Sequence, residues 1–230
     1  MRLEDHYAEI VRRTGSSPRN LQCRGLTNVI RQLYFPEYSF TGRATPASGK
    51  RTDNGMSRGR RVDNDVQKWI RKSLQHTSMT LKNPTARRLR PPHAFCRAFI
   101  VLMERLRLRP IGTQVVVRCE QCDLATLVDA VFVDAQQRVV LVELKCGFEG
   151  YIDRSNGKMR GDFGELSNAP KNQHQIQLAF TRCMFERTFP ELGKVDALLV
   201  RMTESGAHVS SVDTMVDRVS RVVFDRRRRV

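Results

Sequence analysis

The chain has 230 residues, 40% of them hydrophobic, with 40 Lys and Arg against 24 Asp and Glu and a formal net charge of +16. That length sustains one buried core and a short appended segment. No apolar run approaches the roughly 18–20 residues of a membrane span, and MRLEDHYAEIVRRTG lacks the apolar centre of a secretory signal, so a soluble intracellular protein without a membrane partner is expected.

Residues 1–33 read as one or two helices with basic faces. The stretch 33–59 is rich in Gly, Pro, Ser and Thr and lacks periodicity, as a linker does. Val62, Val66, Trp69 and Ile70 have helical spacing and predict a helix over about 60–74. KNPTARRLRPP, 82–92, is a basic, Pro-bounded loop, and 93–108 is a core helix with Phe95, Phe99, Leu102, Met103 and Leu106 on one face. The period then changes, and 113–120, 124–134 and 137–147 read as three strands with a hairpin at 134–137. A polar loop follows at 148–170, then a helix over 171–189, a strand over 195–202 and a closing helix over 213–224. The division expected is a basic extension over 1–55, a domain over 56–225 and a basic tail over 226–230.

Charge is distributed unevenly: +13 over residues 1–100, −1 over 101–225 and +4 in the tail. A single-sign excess of this size points to a polyanionic partner, DNA or RNA. Arg58, Arg60, Arg61, Arg87, Arg88 and Arg90 are candidates for backbone phosphate contact, as are Lys171 and Asn172 in the first turn of a helix, where the alternative is simple capping. Tyr34, Phe35, Tyr38 and Phe40 either stack on bases or pack on the domain. Arg226 to Arg229 are a nucleic-acid or nuclear-localisation patch or a solubilising tail. Among six cysteines, Cys119 and Cys122 form the one tight pair, too little for a zinc site. Cys96 and Cys183 read as core thiols. Reduced cysteines are expected.

The chemistry concentrates in VVLVELKCG, 139–147. On a strand Glu143 and Lys145 share a face, and a charged pair inside apolar sequence is costly unless paired or metal-bound. Antiparallel pairing brings Asp129 of the preceding strand beside Glu143. Two carboxylates suit Mg²⁺ or Mn²⁺, the Leu144 carbonyl can add a ligand, and Lys145 can orient or activate a water. The other reading of Glu143 and Lys145 is a sheet-edge ion pair.

This Asp-x13-Glu-x-Lys arrangement resembles the PD-(D/E)xK nuclease superfamily, over roughly residues 55–205. HQIQLAFTRCMFERTFP resembles the glutamine motif of its RecB-like and lambda-exonuclease-like branch, with Gln177 the best match and Gln173 one turn earlier. RGRRVDNDVQKWI resembles the opening helix of viral and phage members. The resemblance implies an α/β fold, a mixed central sheet flanked by helices with a restriction-endonuclease-like core. It also implies Mg²⁺- or Mn²⁺-dependent hydrolysis of DNA, exonucleolytic rather than endonucleolytic, in viral replication, recombination or genome processing, at the nucleus or a viral replication site in a eukaryotic host. Asp129, Glu143, Lys145 and Gln177 would be the catalytic set, with Asp129, Glu143 and Leu144 holding the metal. The sequence departs from the pattern at Gln114, where the branch carries an acid; Glu104 or Glu120 are the candidates to compensate. Asp63 replaces a histidine of the opening helix, and Thr181 an aromatic. His174 reads as a surface or capping residue. An endonuclease, a catalytically weak nucleic-acid binder and a basic structural or RNA-binding protein are the alternatives. Oligomeric state is not legible.

Overall fold

Runs of Val, Leu and Phe build the centre of the fold. The computed structural model describes residues 23–36, 55–80, 94–146, 153–155, 157–203 and 205–225. Six strands form one mixed sheet: β1 (Arg24–Gly25), β2 (Arg109–Cys119), β3 (Leu124–Val133), β4 (Val139–Cys146), β5 (Asp196–Thr203) and β6 (Gly206–Ser211). Among the described residues five α-helices accompany it: α1 (Leu26–Tyr34), α2 (Gly55–Thr80), α3 (Ala94–Arg105), α4 (Pro170–Thr188) and α5 (Asp213–Asp225). The α/β architecture is therefore a mixed sheet with helices on both faces.

Strand β3 is the pivot. Along one edge it runs antiparallel to β2, from Cys119↔Leu124 to Arg109↔Val133. Its other edge is shared, because Leu124 and Ala125 pair in parallel with β1, while 130–133 pair antiparallel with 139–142 of β4. Beyond Val142, β4 leaves β3 and continues in parallel beside β5 as far as Cys146↔Met202. The two middle strands thus fork, and residues 126–129 face the opening.

Each face of the sheet has its own apolar cluster. On one, Ile176, Phe180 and Phe185 of α4 pack with Val117, Val131, Leu141 and Leu199, joined by α1 and α5. On the other, Val62, Val66 and Ile70 of α2 and Phe99 of α3 pack with Ala130, Phe132, Val140 and Val142. With layers on both sides, β4 reads as one continuous buried run.

Several expectations need correction. The boundary at residue 55 does not mark the edge of packed structure, because Leu26, Ile30 and Tyr34 are buried in the α4-side cluster and β1 pairs with β3. Tyr34 is a core residue that packs edge-on against Phe163, 4.9 Å between centroids, so it does not serve base stacking. Phe35 also packs against the core. Helix α2 extends at both ends past 60–74, and β2 starts four residues early, at Arg109, through a bulge near Pro110. Strand β6, paired antiparallel with β5, has no counterpart among the expected strands. Tyr38, Phe40, Arg87, Arg88, Arg90 and the tail 226–230 lie outside the described residues.

The β3–β4 turn is held by Asp134, 8% exposed. Its Oδ1 accepts from the backbone N–H groups of Gln136 (2.9 Å) and Arg138 (2.8 Å), and its Oδ2 from Arg138 Nε (2.8 Å). Asp134→Ala leaves those two amides without their acceptor and is expected to cost about 1–3 kcal/mol. A thermal melt would register the loss.

Candidate active site

At the fork the regular alternation of β3 breaks. Val128 packs with the α4-side cluster, yet Ala130, two residues on, packs with the α2-side cluster. The break is shared by β2: Gln114 has a φ of +52° and, with Asp129, falls between the registered pairs Thr113↔Ala130 and Val115↔Val128. Positive φ is uncommon for a residue with a side chain, and strain of this kind collects at functional sites.

Asp129 uses the opening. In place of a continued ladder, its Oδ2 accepts the Leu144 N–H at 2.8 Å, and its backbone carbonyl accepts from Thr113 Oγ1 at 2.9 Å. Burial and the Glu143 charge push the Asp129 carboxyl up to about 7, against the pull of the Leu144 N–H and Lys145. Two carboxylates crowded this way gain from a shared cation.

Glu143 is 4% exposed. Its Oε1 accepts from Lys145 Nζ at 2.5 Å and from Gln177 Nε2, reaching over from α4, at 3.3 Å. Burial opposes the Lys145 charge, but Glu143, Asp129 and Asp63 outweigh it and hold the ammonium above its ordinary value. Lys145 is therefore a cation that donates, which favours orienting a water over deprotonating one.

A third carboxylate joins the group. Asp63 of α2 accepts from Gln67 Nε2 at 2.8 Å through Oδ2, while its Oδ1 is buried without a partner. Its charge acts on both Asp129 and Lys145, and burial raises its own carboxyl. At the sequence level Asp63 registers only as a departure from a histidine position; here it comes from the opposite layer to Gln177, and the two close on the fork from either side. His174, one turn before Gln177, is also a correction. It is half-buried rather than a surface cap, and burial together with Lys145 pushes its imidazole down to about 3.

Other candidates fall elsewhere. Glu104 is exposed in the last turn of α3, and Glu120 is exposed beyond the far end of β2. Cys119 pairs with Leu124, five residues along β3 from Asp129, so roughly 17 Å of strand separates Glu120's end from the site. Glu120 therefore does not replace the acid missing at Gln114. Gln173 donates to Asn168 Oδ1 at 2.7 Å. Asn172 donates to the Ser167 carbonyl and hydroxyl, at 2.9 and 3.0 Å, and the N-cap Ala169 of α4 receives no side-chain capping bond. Arg58 is half-buried, with its guanidinium 5.7 Å from the Phe95 ring centroid. Arg60, Arg61 and Lys171 are exposed.

Among the described residues no three His, Cys, Asp or Glu side chains form a ready-made metal cluster. The donors nevertheless suit a hard cation such as Mg²⁺, which takes one or two carboxylates and keeps several waters. Asp129 and Glu143 supply crowded carboxylates, and the orphaned Asp63 Oδ1 supplies an unused buried oxygen.

The solved structures that align with the chain include two of low identity. The crystal structure of SSO0001 covers 97% of this chain and 86% of its own, at 12% identity and a TM-score of 0.31. A provisionally named exonuclease from Eubacterium rectale covers 74% of this chain, at 17% identity and a TM-score of 0.41; the chain spans 65% of that protein, just under two thirds. No family model and no curated protein matches the chain. At these levels the likeness carries no argument about chemistry, which rests on the side chains at the fork.

Proposed function

We propose that the chain is a metal-dependent deoxyribonuclease of the PD-(D/E)xK kind, with a restriction-endonuclease-like core and closest in pattern to the RecB-like and lambda-exonuclease-like branch. The observation that carries this reading is the convergence on Glu143: Lys145 and Gln177 both donate to its Oε1, while Asp129 faces the same fork. A sheet-edge ion pair has no use for the other two residues. The basic charge suits a DNA partner, and the setting that fits is viral or phage DNA replication, recombination or processing by a soluble intracellular protein. No helix among the described residues is long and apolar enough to cross a membrane.

Asp129 and Glu143 would hold Mg²⁺ or Mn²⁺, with the Leu144 carbonyl and Asp63 as further oxygens. When bound, such an ion supplies Lewis-acid neutralisation of charge developing on the scissile phosphate. Lys145 orients an attacking water and faces the developing negative charge with a fixed ammonium. Gln177 fixes the rotamer of Glu143. Burial keeps His174 neutral, so it adds no second charge beside Lys145.

A second reading, a nucleic-acid-binding protein with weak catalysis, draws on one observation: an amide, Gln114, stands across from Asp129 where the resembling branch has an acid. End-labelled linear DNA and closed circular DNA incubated with Mg²⁺, Mn²⁺ or EDTA separate the two. Metal-dependent loss of linear DNA alone is expected. Nicking of the circle would assign an endonuclease, and salt-sensitive binding without cleavage would leave the binding protein.

A further inference from the structure

A cavity of about 170 Å³ opens on the α4 face of the sheet, beside the fork. Asp153, Lys171, Leu199, Arg201, His208, Val209 and Ser210 line it. Two of these residues continue a row that begins at the candidate site, because Lys145 is in register with Arg201, and Arg201 with His208. Residues in register on neighbouring strands project from one face. At about 4.8 Å per strand, Arg201 stands one spacing from Lys145 and His208 two. Lys171 reaches the same cavity from the first turn of α4, six residues before Gln177 and so about 9 Å along the helix.

The chemistry of the lining is selective. Arg201 and Lys171 form no ion pair among the described residues, and His208 Nε2 lies 3.3 Å from Ser205 Oγ. Two permanent cations and an imidazole face one carboxylate, Asp153, which is exposed. The volume is well below the roughly 300–1,000 Å³ of pockets that enclose a drug-sized ligand. A nucleoside is too large, whereas a phosphate group with a few waters fits.

We propose that this cavity holds a phosphodiester group of the bound DNA strand, next to the one that lies over Glu143 and Lys145. The proposal rests on the nuclease reading above. The Arg201 guanidinium offers a planar fork matched to phosphate oxygens, and Lys171 and His208 complete the contact. Holding a flanking phosphate fixes which bond lies at the fork, since backbone contacts set register without reading sequence.

The test is anisotropy of a labelled duplex with the full chain in EDTA, where no cleavage intervenes, over a salt series. Arg201→Ala is expected to weaken binding about tenfold and to lower the salt slope by about one. Lys171→Ala, at an exposed position that folding does not need, is expected to act in the same direction. Asp153→Asn is expected to tighten binding, because it removes the one charge that opposes phosphate. Wild-type affinity and slope in both Arg201→Ala and Lys171→Ala would overturn the cavity. An equal loss on closed circular competitor DNA supports an internal phosphodiester, whereas a loss confined to ends bearing a terminal phosphate overturns that assignment. The two readings fail separately: a slope that depends on Arg201 in a protein that never cuts DNA sinks the nuclease, and cutting with an indifferent slope sinks the cavity.

Discussion

Lys145→Ala is expected to lower the rate of DNA cleavage by about a thousandfold while leaving binding in EDTA within about threefold of wild type. The first figure follows from removing a positioned donor at a charge-developing centre, which costs roughly 10²–10³ in rate, and from releasing Glu143, whose Oε1 then keeps only the 3.3 Å bond from Gln177. The second follows because the Lys145 charge is already answered inside the protein by Glu143, Asp129 and Asp63, so little of it is left for phosphate in the absence of metal. Single-turnover cleavage measured beside anisotropy separates the two effects. Cleavage at the wild-type rate would reduce Glu143 and Lys145 to a buried ion pair and remove the basis of the catalytic reading.

Asp129→Asn is expected to pull activity and stability in opposite directions. Activity falls by about a thousandfold or more, as a carboxylate facing the scissile phosphate becomes neutral. Stability rises. The Asp129 carboxyl sits at about 7 in the fold against an ordinary 3.8, so the folded chain binds its proton more tightly than the unfolded chain does. The stability this group confers is complete below about 3.8 and is lost as pH rises through about 7. Asn keeps an oxygen for the Leu144 N–H but carries no charge, so the variant escapes that loss. The gain is expected to be about 1–3 kcal/mol at pH 8, allowing for partial solvent access to the fork, and to shrink toward zero near pH 4. Melts in EDTA from pH 4 to 8 read it directly, and a difference that is flat with pH would refute the account.

What the sequence discloses follows from where its signals are local. Asp129, Glu143 and Lys145 lie on adjacent strands, so alternation and hairpin pairing are enough to bring them to one end of the sheet. Gln177 is one step harder, since it depends on α4 crossing that end, and the glutamine motif supplied it. Asp63 was legible only as an anomaly. Nothing in its neighbourhood shows that α2 packs on β2 and β4 and carries it to the fork. The settings of His174 and Arg182 are hidden from the sequence for a related reason. A surface helix shows one apolar stripe, but α4 is enclosed by the sheet, α1 and α5, and residues 178–185 are all buried. Arg182, 10% exposed at its side chain, answers that burial with bonds to Glu186 (3.1 Å) and Asp213 (2.7 Å). Strand β6 was overlooked because GAHVSS is short, half-exposed and weakly apolar; its pairing with β5, not its composition, makes it a strand.

The fork in the sheet gives the protein an internal gauge. Along most of β4 the amides are tied up by neighbouring strands, but the Leu144 N–H is held by the Asp129 carboxylate, whose charge changes with its surroundings. That one amide should titrate with the site. Its proton resonance is expected to move as Asp129 ionises near pH 7, and to move again when a cation draws on the same oxygen. A single backbone signal can thus be watched while the protein is loaded, emptied or titrated, with no label placed in the site it reports.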